Sequence, residues 1–170
     1  MNRLNLLASK YKAVETPFLL MDEDLLREQA NLFKKHAAQC GIFYAVKANS
    51  NQNVMSLLND YGIGFEVASQ AELELVQNFT NDPKRVISGN PIKSPALIES
   101  MYKSGVERYV IDSTTEIDKL ALLAPRSEVI IRLTVDNSSS AWPLSEKYGV
   151  EVEVAIKLFE YAAQLGLIPA

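Results

Sequence analysis

The chain has one cysteine, Cys40, and one histidine, His36, among its 170 residues. A lone cysteine excludes an intramolecular disulfide and any cysteine-cluster metal site. A lone histidine leaves almost no material for a histidine metal site or a Ser-His-Asp triad, so no metal is expected. His36 lies among Leu32, Phe33 and Ala37, which points to a helix surface rather than to catalysis. Cys40 is expected to pack as a small apolar group at the end of that helix. Positive charge is scarce as well: 17 Lys and Arg against 21 Asp and Glu give a net charge of −4. That balance offers no electrostatic case for nucleic acid or an anionic membrane as partner. No apolar run reaches the roughly 18 residues of a membrane-spanning helix. The start, Met1 to Ala8, has a weak apolar patch but no signal-peptide core, so a cytoplasmic protein is expected. The glycosylation patterns at Asn78-Phe79-Thr80 and Asn137-Ser138-Ser139 are then expected to be chance. A Gly-x-Gly-x-x-Gly phosphate fingerprint is missing after the first strand-like run, which weakens a dinucleotide-binding reading.

What is present is a regular alternation. Strand-like runs at 42–46, 64–68, 86–89, 109–112 and 129–135 begin about every 20 residues. Helical stripes lie between them. Val54, Leu57, Leu58 and Tyr61 follow the i, i+3, i+4, i+7 rule, and Gly62 stops that helix. Leu97, Ile98 and Met101 follow Ser94-Pro95 and stop at Gly105, with proline at the first helical position. Ile117, Leu120, Ala121 and Ala124 form the next stripe, closed by Pro125. Ser69 to Glu72 and Ser113 to Glu116 read as capping boxes. Further helices are expected over 24–38, with Leu25, Leu32 and Phe33 on the apolar face, and over 151–165. Strands and helices alternating at this interval predict an α/β protein with a parallel sheet, either doubly wound or a (β/α)8 barrel. We expect a partial (β/α)8 barrel of about five βα units, since a full barrel takes about 250 residues. Residues 1–23 read as a lead-in and 24–170 as the barrel portion. A sixth apolar run begins at Gly166, so a longer parent chain is expected.

In such a barrel the chemistry sits where the strands end at their carboxyl side. Lys47, Glu66, Ser69, Asn90, Asp112, Ser113 and Asp136 fall there. Lys47 follows the run Phe43-Tyr44-Ala45-Val46. An amine at the mouth of a buried strand loses its proton more readily and forms a Schiff base with an aldehyde such as pyridoxal phosphate. Strand alternation places Phe43, Ala45 and Lys47 on one face, and the small Ala45 leaves room for a flat ring. Glu66 lies in an apolar strand, where a carboxylate is costly without a partner; Lys47 or a cationic cofactor would serve. Capping explains Asp112 and Ser113 at least as well as a site does, and a simple turn explains Asn90-Pro91.

Tyr44-Ala45-Val46-Lys47-Ala48-Asn49, with Val54-Met55, Leu58 and Gly62, resembles the pyridoxal-phosphate attachment signature of the ornithine, diaminopimelate and arginine decarboxylase group. Gly64 to Ser69 with Glu72-Leu73 and Val76, and then Val86 to Lys93, are similar to that family's next two strands and the loop after them. Tyr109 to Ser113 and Arg132-Leu133 continue in register. The Asn90-Pro91-Ile92-Lys93 tract is more like ornithine decarboxylases than diaminopimelate decarboxylases. The resemblance runs from about residue 16 to the end of the chain.

The resemblance implies a fold-type III enzyme, with pyridoxal phosphate on the barrel rim, a C-terminal β-domain and a homodimer in the full-length form. It implies Lys47 as the cofactor-bearing lysine, Ala45 near the cofactor and Glu66 as the acidic neighbour. The implied activity is decarboxylation of a small basic amino acid, ornithine to putrescine first, in polyamine synthesis. Diaminopimelate, lysine or arginine is the alternative substrate. A regulator or a cofactor carrier without turnover is the alternative of another class. Two departures stand out. Many ornithine decarboxylases read Arg-Leu-Ser where this chain reads Pro143-Leu144-Ser145. The family's ring-stacking histidine, glycine-rich phosphate loop, acidic partner of the ring nitrogen and substrate-binding residues all lie past the position of Ala170. The 170 residues alone are therefore expected not to decarboxylate.

Overall fold

The computed structural model describes residues 3–136 and 147–170. Pro143 and Asn137 lie outside the described residues. The chain divides into two compact units, Met1–Cys40 and Gly41–Ala170.

The first unit holds helices α1 (Arg3–Lys10) and α2 (Glu23–His36). Asp22 caps α2, its carboxylate accepting from the amides of Asp24 and Leu25. Glu23 and Asp24 in the first turn, and Lys34, Lys35 and His36 in the last, suit the helix dipole. The apolar face differs from the expected one. Leu32 and Phe33 are 46% and 61% exposed, whereas Ala30 is buried and Leu26, like the expected Leu25, is half-buried. The covered stripe therefore runs through Leu26 and Ala30, four residues apart, and turns Leu32 and Phe33 outward. His36 is exposed, as a helix-surface residue should be. Cys40 is exposed too, contrary to the expectation of a packed thiol, because it stands in the turn after the helix and not on its covered stripe.

Among the described residues the second unit contains six strands: β1 (Phe43–Ala45), β2 (Gly64–Glu66), β3 (Val86–Ile87), β4 (Arg108–Ile111), β5 (Glu128–Ile131) and β6 (Ile168–Pro169). Helices α3 (Gln52–Asp60), α4 (Gln70–Gln77), α5 (Pro95–Lys103), α6 (Thr114–Leu123) and α7 (Val152–Gln164) connect them. Every strand pair is parallel. The strands pair in the order β1-β2-β3 and β4-β5-β6, and a parallel bridge from Ser88 to Tyr109 joins β3 to β4. A doubly wound sheet reverses its strand order at a switch point. Six strands in strict chain order contain no such reversal, so the sheet is the wall of a partial (β/α)8 barrel. Six strands are present among the described residues rather than five, because Glu128 and Val129 pair with Ile168 and Pro169. The fifth strand is shorter than the predicted 129–135. Its partner β4 ends at Ile111, paired with Ile131, and only an isolated bridge from Leu133 to Val150 follows.

Phe65, Val67, Tyr109, Ile111 and Val129 have no exposed surface, and they alternate with half-buried Glu66, Arg108, Val110, Glu128 and Ile130. The first set packs beneath the helices; the second forms the inner face of the wall. The predicted stripes of α3, α5 and α6 supply the other side of the packing: Val54, Leu57, Leu58, Leu97, Ile98, Met101, Ile117 and Leu120 are all buried. Each such side chain contributes roughly 1.5–3 kcal/mol. Gly62, Gly105 and Gly166 end α3, α5 and α7 with φ of 71°, 79° and 80°, the left-handed turn that glycine makes without a Cβ clash.

The phenol of Tyr109 donates to the Val106 carbonyl at 3.0 Å, and burial raises its pKa well above 10.0. A raised value means stability that is present below about pH 10 and lost as the pH rises toward the folded value. Tyr109→Phe is expected to cost about 0.5–1.5 kcal/mol at neutral pH. It should also flatten the loss of stability above pH 10. Urea unfolding of both proteins from pH 7 to 11 measures both effects.

Candidate active site

The rim is assembled by strand register. Ala45 pairs with Glu66, so the residues that follow β1 emerge beside the last residue of β2. The strand does not continue through Lys47 as simple alternation requires. Val46–Ala48 form one 3-10 turn, anchored by the fully buried Val46. Lys47 leaves this turn with its side chain 63% exposed, so burial does not set it apart. A neighbour does: Nζ lies 3.9 Å from Oε2 of Glu66. Ala45, half-buried, adjoins both through its pairing with Glu66.

Glu66 is only 16% exposed, and its Oε1 is buried without a hydrogen-bond partner among the described residues. A buried carboxylate oxygen without a donor costs free energy, so Glu66 has capacity for a cationic or hydrogen-bonding group beyond Lys47. Its position is set sterically by Gly89. A Cβ on Gly89 would fall 2.6 Å from Cγ and 2.8 Å from Cδ of Glu66. Gly89→Ala is therefore expected to push the carboxylate aside, at about 1–3 kcal/mol in stability. The same variant should weaken capture of pyridoxal phosphate about tenfold, read by absorbance titration beside a urea melt.

Much of the remaining polar sequence near Lys47 is turn chemistry. The Asn49 side chain accepts from the Asn51 amide at 3.0 Å, and that of Asn51 caps α3 through the Asn53 amide at 2.9 Å. The Tyr44 hydroxyl donates to the Asn49 carbonyl at 3.2 Å, and burial raises its pKa. Ser69 caps α4, accepting from the Glu72 amide at 3.3 Å. Glu72 reaches back to the amide of Ala68 at 2.6 Å, one residue before the expected one.

The second capping box does not form. Ser113 makes no side-chain cap, and Glu116 turns inward to Lys93 and Lys119. Asp112 does not cap α6 either; its Oδ2 accepts from the Gly149 amide at 3.0 Å. Asn90 enters through its backbone, accepting from Lys93 Nζ at 3.1 Å, and Asp136 is exposed. The structure thus joins Lys47, Ala45 and Glu66, adds Gly89, and gives Ser69, Asp112 and Asn90 structural bonds. Cavities of about 180 Å³ (Thr80, Asp82, Val86, Val106) and 350 Å³ (Glu107, Ser127, Glu128, Ile168) open at the amino ends of the strands, away from this rim. Among the described residues no cluster of His, Cys, Asp and Glu is arranged to hold a metal ion, and no helix is long and apolar enough to cross a membrane.

At the carboxyl rim of the parallel barrel wall an exposed lysine thus lies beside a largely buried carboxylate. Residues 23–168 match the pyridoxal binding domain of the pyridoxal-dependent decarboxylases, and the chain belongs to that family. It is 34% identical over 156 residues to the lysine/ornithine decarboxylase of Selenomonas ruminantium, covering 92% of this chain and 40% of that protein. It is also 34% identical over 144 residues to antizyme inhibitor 2 of Xenopus laevis, covering 85% of this chain and 31% of that protein. In three dimensions it is similar to an SrLDC variant solved in complex with PLP, with a TM-score of 0.88 and 32% identity, over 98% of this chain and 43% of the other. The chain thus spans about two fifths of the length of these decarboxylases.

Proposed function

We propose that this chain is the lysine-bearing part of a pyridoxal-phosphate enzyme that decarboxylates a basic amino acid, ornithine first. The carrying observation is Lys47 Nζ beside Glu66, whose second oxygen is buried and unpartnered. These residues fit the cofactor: Lys47 offers an accessible amine, Glu66 an acceptor for a cationic group, and Ala45 space beside them. When bound, pyridoxal phosphate supplies an electron sink for the pair released as the α-carboxylate leaves as carbon dioxide. Lys47 holds and releases the bound carbonyl, and Glu66 holds positive charge next to it. Gly89 keeps that carboxylate in place. Residues 24–170 serve as the barrel portion and 1–23 as the lead-in, within a full-length homodimer of polyamine synthesis.

The test is amine production by the full-length protein from ornithine, lysine, arginine and diaminopimelate, compared by kcat/KM. Ornithine giving the highest value supports the reading. No turnover of any of the four, with Lys47 still labelled by pyridoxal phosphate, overturns it. The similarity to an antizyme inhibitor favours a second reading, a regulator acting by partner binding. Partner binding that survives Lys47→Ala in a protein without turnover would establish it.

A further inference from the structure

We propose that Lys93, Glu116 and Lys119 form a positioning device that holds Glu66, and through it the Lys47 site, in place. The inference rests on the reading of Lys47 and Glu66 as the cofactor site. None of the three touches Lys47; they act through the loop after β3.

The side chains of Lys93 and Glu116 are 0% and 3% exposed. An ammonium carries three protons. Lys93 Nζ donates to the carbonyls of Asn90 at 3.1 Å, Pro91 at 3.1 Å and Val110 at 2.6 Å. Those bonds use its donors, and Glu116 Oε2 at 3.2 Å balances its charge. Lys119 pairs with the other oxygen of Glu116 and donates to the Lys93 carbonyl at 2.7 Å. Residues 90–93 are thereby tied to β4 at the Val110 carbonyl and to α6 through Glu116 and Lys119. An apolar residue at 93 would fill the space but tie down none of these carbonyls.

The loop begins at Gly89, the residue packed against the Glu66 side chain. Just before it, Ile87 accepts from the Val67 amide at 3.0 Å and pairs with Glu66 in the sheet. A loop that shifts carries Gly89 with it, and no group among the described residues hydrogen-bonds the buried Oε1 of Glu66 to hold it instead. A three-residue charge cluster with Lys93 and Glu116 buried is thus coupled through four residues of backbone to the carboxylate beside Lys47.

Lys93→Met alone leaves Glu116 short of a cation, so the informative variant of the full-length protein is Lys93→Met/Glu116→Gln. Tyr161→Phe, which removes the exposed 2.7 Å bond from Tyr161 to Asp118 between α7 and α6, is the control for loss of an α6 contact outside the cluster. Hydrogen exchange of the cofactor-free proteins and titration with pyridoxal phosphate are the readouts. Positioning predicts about tenfold faster exchange in segments 64–68 and 88–93, with 152–164 unchanged. It also predicts capture at Lys47 weakened about fivefold, and no change of either kind in Tyr161→Phe. Unaltered exchange at 64–68, or the same changes in Tyr161→Phe, overturns the proposal. If the unsubstituted protein takes no label at Lys47, the cofactor reading fails, and the exchange result still decides the positioning claim. Should the double variant not fold, Lys119→Met carries the same test with an effect of about twofold, since it removes only the tie to the Lys93 carbonyl and a partly exposed charge.

Discussion

Alanine in place of Lys47 is expected to abolish stoichiometric labelling by pyridoxal phosphate and borohydride, and to lower the proposed decarboxylation by the full-length protein on the order of 10³-fold or more. The amine proposed to form the imine is gone, and no other residue described at this rim replaces it. The fold should hardly notice. The side chain is 63% exposed and its distance to Glu66 is 3.9 Å. Such an ion pair contributes about 0–1 kcal/mol. Peptide mass spectrometry of the reduced protein, with a urea melt alongside, separates the two effects. Full label at another lysine in Lys47→Ala would remove Lys47 from the proposal, and a melt shifted by several kcal/mol would make its role structural.

Alanine in place of Lys93 has the opposite signature, a large loss of stability from a residue outside the site. Three carbonyls lose their donor, and Glu116 keeps only Lys119 as a counter-ion. Removing one member of a buried pair costs about 3–5 kcal/mol, measurable by urea unfolding. The effect also depends on pH. Burial is the largest influence on the Lys93 amine and lowers its pKa from 10.5, against the pull of Glu116. For a lowered pKa, the folded protein gives up the proton before the unfolded chain does. Stability from this group is therefore present above 10.5 and lost as the pH falls through the lowered folded value. The gap between parent and variant should widen as the pH rises toward 10.5. A gap that narrows over that range would mean that Lys93 does not sit as a desolvated amine.

The alternation of strands and helices was legible because it is local. The stripes of α3, α5 and α6 are buried as their spacing requires, and Asn51, Ser69 and Ser94 cap the helices that follow them. Where local pattern and tertiary demand diverged, the pattern misled. Ser113 to Glu116 is as good a capping box as Ser69 to Glu72, yet Glu116 is claimed by Lys119 on its own helix and by Lys93 in the loop before α5. Leu32 and Phe33 carry helical spacing but lie outside the covered stripe of α2. Lys93 was visible as part of a motif, but nothing in one dimension distinguishes a buried lysine from a solvated one.

Spacing, composition and the residues around Lys47 by themselves determined the βα class and the parallel sheet, and singled out Lys47 as the candidate for the chemistry. These depend on periodicity and residue type within a few turns of chain. Only the tertiary structure decided that the strands run in unbroken order around a barrel wall, that Glu66 keeps a buried oxygen without a donor, and that Gly89 and the Lys93 cluster stand behind it. Those facts depend on which groups meet across 20 to 50 residues, and register and desolvation decide them, not local propensity.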